Sequence, residues 1–291
     1  MPIVDAHHHL WDLRALRYPW LTQPAPGSGV AGDIEPLRRN YLLDDYAGDA
    51  AGCDIMRSVH VQAACDPADA VAETRWLQAI ADTHGYPHAI VAYVALHLPD
   101  AVEVIHAHLQ YRNMRGVRQL LNWHDDPAKR QTDRPDYLTD PAWRRGFSLL
   151  GQYGLSFDLQ IYPWQMADAA ALAAEFPETQ LVVNHTGMPI DQTRTGLAAW
   201  RAGMRSLAER PNVAVKISGL GMFTADPEPL IKQTIEIFRV DRCMFASNFP
   251  VDRLYSSYAT LVENFAHAIR EYSPAEQRAM LHDNAVRLYR L

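Results

Sequence analysis

Eight short β-rich apolar runs recur along the chain, each followed by a longer stretch with helical spacing. The runs are IVDAHH (3–8), RSVHVQA (57–63), AIVAYVAL (89–96), RGVRQLL (115–121), LSFDLQIY (155–162), QLVVNHTG (180–187), VAVKISGL (213–220) and CMFASNFP (243–250). Between and after them the spacing predicts helices over 68–83, 99–110, 141–152, 164–175, 196–209, 227–238, 258–271 and 275–289. Strand–helix alternation repeated eight times predicts a parallel sheet closed on itself. The expected fold is therefore α/β, a (β/α)8 TIM barrel, with residues 1–291 forming one domain. An open doubly wound sheet is the competing architecture. It is disfavoured because no GxGxxG follows the first run and eight evenly spaced units are many for such a sheet.

Two segments break this rhythm. One runs from Leu10 to about Pro36 and contains Pro19, Pro24, Pro26, Gly27 and Gly29; the other is NWHDDPAKRQTDRPD, 122–136. Both follow a strand, so in a barrel both would lie over the C-terminal face as lids or specificity loops.

The formal net charge of −7 and the absence of a basic run argue against nucleic acid as a partner. No apolar run reaches the roughly 18 residues of a membrane helix, and the start MPIVDAHHHLWD lacks the basic-then-apolar pattern of a signal peptide. Three scattered cysteines without a CxxC pair fit a reducing compartment. A cytoplasmic protein acting on a small molecule is the expectation, with oligomerisation left open.

The strongest chemical signal is Asp5-Ala-His7-His8-His9. With a strand's period of two, Asp5, His7 and His9 are expected on one side and Ala6 and His8 on the other. Two imidazoles at i and i+2 on a strand end can converge on one metal ion or one substrate oxygen. His185 ends the sixth run in VVNHTG, and Asn248 ends the eighth in FASNFPVD, with Asp252 four residues on. In a closed barrel the eighth strand neighbours the first, which brings Asn248 beside His7 and His9. Asn248 can donate and accept hydrogen bonds but cannot serve as a base near pH 7. The ends of other runs supply Gln62, Arg118, Gln160, Lys216 and Ser218. Arg118 suits a carboxylate clamp and Lys216 a developing oxyanion; a solvated strand end or an internal salt bridge with Asp158 is the alternative for each. Trp11, Tyr18, Trp20, Trp123 and Tyr162 are candidates for an apolar or sugar-stacking rim, Trp123 among the substrate-binding set.

DAHHHLWD, NHTGMP, KISGLGMF, FASNFPVD and HDNAVRLYRL together resemble the amidohydrolase-2 family of TIM-barrel hydrolases, in its sugar-lactonase-like branch (the L-fuconolactonase and L-rhamnono-lactonase type). The likeness spans nearly the whole chain. It implies a catalytic centre built from a strand-one His-x-His, later-strand histidines and a strand-eight aspartate. Here His7, His9 and His185 match the histidines. Two positions depart: Asn248 stands where many relatives carry Asp, and Gln160 where a metal-binding member would often carry a further histidine.

The expected activity is hydrolysis of a cyclic ester, a sugar or dicarboxylic-acid lactone. His7, His9, His185, Asn248 and Asp252 form the catalytic set, and Gln62, Arg118, Gln160, Lys216 and Trp123 hold substrate. His7, His9 and His185 are also the candidate ligands of a divalent metal such as Zn²⁺, and a metal-free centre is equally compatible. A metal-dependent decarboxylase or hydratase, or a barrel that binds a small molecule without turnover, are the alternatives.

Overall fold

The computed structural model describes residues 1–24 and 29–291, so Pro26 and Gly27 of the first irregular segment lie outside the described residues. Eight strands form one parallel sheet in sequence order: β1 (Ile3–His8), β2 (Ile55–Val61), β3 (Ala89–Ala92), β4 (Met114–Val117), β5 (Ser156–Leu159), β6 (Leu181–Val183), β7 (Val213–Ile217) and β8 (Cys243–Phe245). The sheet closes just beyond β8. The Asn248 amide donates to the His7 carbonyl at 2.8 Å, and the His9 amide donates to the Phe249 carbonyl at 2.8 Å. The expected (β/α)8 barrel is therefore the observed one.

Apolar side chains explain the closure. Val4, Val59, Val91, Val182, Ala214 and Met244 pack in one buried cluster, together with Leu288 and Tyr289 of the last helix (Asn284–Tyr289). A larger cluster lies where the helices meet the sheet. There Trp143 and Phe147 of the helix Pro141–Gln152 pack on Phe157 of β5, with ring centroids 5.2–5.6 Å apart. Full burial of side chains of this size contributes roughly 1.5–3 kcal/mol each. That helix starts where the sequence marks it. Pro141 occupies a first-turn position needing no N–H, and the Asp140 carboxylate accepts from the Trp143 amide at 2.8 Å.

Strand starts agree with the expectation to within two residues, but most strands end three to five residues early. The β8 run, for example, extends to Pro250 in sequence, whereas pairing stops at Phe245. Beyond that point the chain peels away to present side chains to the barrel mouth. The helix expected over 275–289 is divided by a π-helical stretch, Ala279–Asp283. A helix at Leu43–Asp49 was not anticipated from periodicity. Among the described residues, no helix is long and apolar enough to cross a membrane.

Candidate active site

The site begins with an irregularity in β1. Its pairing with β2 shifts register between Asp5 and His8, so strict alternation fails there. His7 and His9 do face each other, Nε2 to Nε2 at 3.2 Å. Asp5 does not share their side, contrary to the period-two expectation. Its buried carboxylate accepts from the His7 and Ser247 amides, the Ser247 hydroxyl, and the hydroxyls of Tyr46 and Tyr258, all at 2.6–3.1 Å. Tyr46 and Tyr258 come from the outer helices Leu43–Asp49 and Tyr258–Ala268. His8 also turns outward, stacking on Tyr46 with centroids 4.3 Å apart. Asp5 thus ties β1 to the chain after β8 and fixes the backbone from which His7 and Asn248 project.

Arg118 forms the centre of the floor. Its Nη1 donates to Gln160 Oε1 at 2.9 Å and lies 3.5 Å from His7 Nε2, while Nη2 donates to the Gln62 carbonyl at 2.5 Å. Its Nε has no partner among the described residues. No carboxylate forms an ion pair with it among the described residues. A buried cation of this kind is costly unless an anion visits it, and burial lowers its pKa to about 10.

The imidazoles around it are neutral. Burial is the main force pushing His7, His9 and His185 well below 6.5. The Val61 carbonyl, 2.7 Å from His9 Nδ1, can only accept, so His9 carries its proton on Nδ1 and a lone pair on Nε2. His7 then supplies a proton from its own Nε2 to that lone pair. His185 lies 4.7 Å from His7, centroid to centroid, and pairs through Nδ1 with Ser218 Oγ at 3.0 Å. Gly219 makes room for it: with φ at +67°, an added Cβ there would stand 2.9 Å from His185 Cβ.

A cavity of about 420 Å³ opens above this floor. His9, Arg118, Gln160, His185 and Asn248 line it, and both irregular segments contribute to its wall, through Pro19, Trp20 and Ile34 and through Pro127, Ala128 and Gln131. Of the seven described non-glycine residues with left-handed backbone, four line this cavity: Ala64 (φ 55°), His185 (φ 49°), Met188 (φ 51°) and Asn248 (φ 56°). Such backbone is held at a cost and gathers where side chains must be aimed.

Several residues of the expected site lie elsewhere. His7 is fully buried beneath the cavity and does not line it. Lys216 is also fully buried and forms an ion pair with Asp158, whose other oxygen accepts from the Tyr289 hydroxyl. Its ammonium, lowered by burial to about 8, is committed to that pair and does not reach the substrate space. Gln62 accepts the Ala64 amide through its side chain and Arg118 through its carbonyl, so it positions Arg118. The face of Trp123 is covered by the Arg130 guanidinium at 3.9 Å. Asp252 sits behind Asn248, accepting from its Nδ2 at 2.8 Å, and lines a separate cavity of about 300 Å³ together with Ser256 and Phe265. Burial raises its pKa to about 7. Sequence reasoning passed over Met188 and Met222, which wall the cavity. Both lie inside segments singled out above, NHTGMP and KISGLGMF.

The donor set fits a resident Zn²⁺ poorly. Two tetrahedral ligand nitrogens at about 2.05 Å from Zn²⁺ stand about 3.3 Å apart, which the His7–His9 separation of 3.2 Å matches. No third ligand completes the shell: among the described residues, no group of three His, Cys, Asp or Glu side chains is arranged to hold a metal. The Arg118 cation stands 3.5 Å from His7 Nε2.

Comparison with known proteins agrees with this architecture. The amidohydrolase family model matches residues 4–291. An uncharacterised Sinorhizobium fredii protein, y4mH, is 43% identical over 99% of this chain and 98% of its own. An L-fucono-1,5-lactonase of Burkholderia multivorans is 30% identical over 99% of this chain and 96% of its own. Among solved structures, an amidohydrolase from Burkholderia multivorans with bound Zn superposes with a TM-score of 0.82 at 28% identity, covering all of both chains. The closed barrel, the histidines at its mouth and these likenesses lead to one conclusion: the chain belongs to the amidohydrolase family and is a hydrolase.

Proposed function

We propose that this site opens lactones by adding water to the ring carbonyl, without a resident metal. The observation that carries the reading is Arg118: a buried guanidinium with no counter-carboxylate among the described residues, set among neutral imidazoles at the floor of a cavity. Arg118 receives the carbonyl oxygen and stabilises the charge it gains as water adds. His185 is the general base. With Ser218 Oγ accepting from Nδ1–H, the ring's Nε2 carries the lone pair that takes the water proton. Asn248 donates its amide to Asp252, which leaves Oδ1 to orient that water. The resulting imidazolium returns its proton to the ring oxygen as the C–O bond breaks, and the product is a hydroxy acid that ionises in solution. The L-fucono-1,5-lactonase relative supports the choice of a cyclic ester.

Proton release on a panel of γ- and δ-lactones tests this reading. Turnover is expected, and His185→Gln should lower kcat by about 100-fold or more, the scale of a general base. Intact protein that opens no lactone, or a rate untouched by His185→Gln, would contradict it.

A further inference from the structure

The cavity above the floor is walled for an apolar group. Pro19, Trp20, Ile34, Met188, Met222 and Val251 line it. The polar tips of its aromatic residues are already engaged within the protein: Trp20 Nε1 donates to the Ala63 carbonyl at 2.8 Å, and the Tyr162 hydroxyl donates to the Lys129 carbonyl at 2.6 Å. No Asp or Glu lines the cavity among the described residues. Gln160 Oε1 already accepts from Arg118. Gln23 and Gln131 are exposed and lie at the rim. Arg130 is stacked on Trp123 and donates to the His124 and Asp125 carbonyls.

Resting on the lactone reading, we infer that the substrate is a lactone whose ring carries an alkyl or aryl substituent, rather than a polyhydroxylated sugar lactone. Every ring hydroxyl of a sugar is a donor that needs an acceptor. Among the described side chains that line the cavity inside its exposed rim, the acceptors left free, His185 Nε2 and Asn248 Oδ1, face the reacting water. A hydroxyl buried without a partner weakens binding about fivefold to 150-fold. A methylene placed against this wall strengthens it about fourfold.

The test compares kcat/KM for δ-decalactone and D-glucono-1,5-lactone, which share a six-membered ring. The alkyl lactone is expected to be preferred by at least about 100-fold. Met222→Gln, which puts an amide into the wall at similar volume, should shrink that preference at least threefold. A preference for the gluconolactone, or rates within threefold of each other, would overturn the inference while leaving the lactonase reading intact. If no lactone of the γ- and δ-lactone panel is opened, the lactonase reading fails, and titration calorimetry with the hydroxy acids still decides the wall's preference. Tighter binding of 5-hydroxydecanoate than of gluconate, by tenfold or more, supports the apolar wall; equal or reversed affinities refute it.

Discussion

Asn248 donates its side-chain amide to Asp252 at 2.8 Å, and so separates a buried carboxyl from the cavity lined by Arg118 and His185. Asn248→Asp would place two carboxyls within hydrogen-bonding distance, sharing one proton. The negative charge would face a centre that must stabilise an oxyanion. A fall in kcat/KM of about tenfold or more at pH 8, and a smaller fall at pH 6, is expected. Faster turnover by Asn248→Asp would show instead that the site lacks an aspartate it could use.

Arg118 is held in plane by Gln160 and the Gln62 carbonyl. Lysine lacks the planar fork that reaches both acceptors from two separate nitrogens. Steady-state kinetics of Arg118→Lys should show kcat reduced by about 100- to 1000-fold, the cost of losing an oxyanion donor, with KM changed less. A loss confined to KM would assign Arg118 to binding alone.

Asp252 has its pKa raised by burial from 3.8 to about 7, with Asn248 pulling the other way. Between those values the folded protein holds a proton that the unfolded chain releases. This contribution to stability is complete below pH 3.8 and is lost as pH rises through about 7. The interval sets a ceiling of roughly 4 kcal/mol. Urea unfolding at pH 5 and pH 8 should therefore show Asp252→Asn gaining on the parent protein at the higher pH. A difference between the two proteins that is the same at both pH values would rule this out.

Asp5 gathers five donors from β1, the chain after β8 and two outer helices. Asparagine offers one acceptor where the carboxylate offers two, and turns an amide donor toward donors. Asp5→Asn should destabilise the fold by about 1–3 kcal/mol and lower kcat, because His7 and Asn248 are joined at this closure. Unchanged thermal unfolding would mean the five contacts contribute nothing net.

The barrel was legible because each β-rich run starts within two residues of its strand, and because apolar spacing marks most of the intervening helices. His185 and Asn248 were legible as polar residues ending apolar runs. What alternation could not give was depth. Arg118 and Lys216 both lie toward the end of a predicted strand, yet Lys216 is sealed against Asp158 and Tyr289 while Arg118 reaches the cavity. Nor could a period of two foresee the register shift in β1 that turns Asp5 away from His7 and His9. Asp252 follows Asn248 closely in sequence, but the 3₁₀ turn Val251–Leu254 carries it behind the site. The wall residues Trp20 and Ile34 come from an irregular segment with no periodicity to read.

Lactone hydrolysis by metal-free protein tests the central claim most directly. The protein would be dialysed against a chelator, its zinc content measured, and proton release followed on an opened lactone before and after adding Zn²⁺. A kcat/KM that stays the same at less than about 0.1 equivalent of zinc, with Zn²⁺ giving no gain, is the result expected of a centre built on Arg118 and His185. Activity that disappears with the metal and returns in proportion to added Zn²⁺ would contradict it.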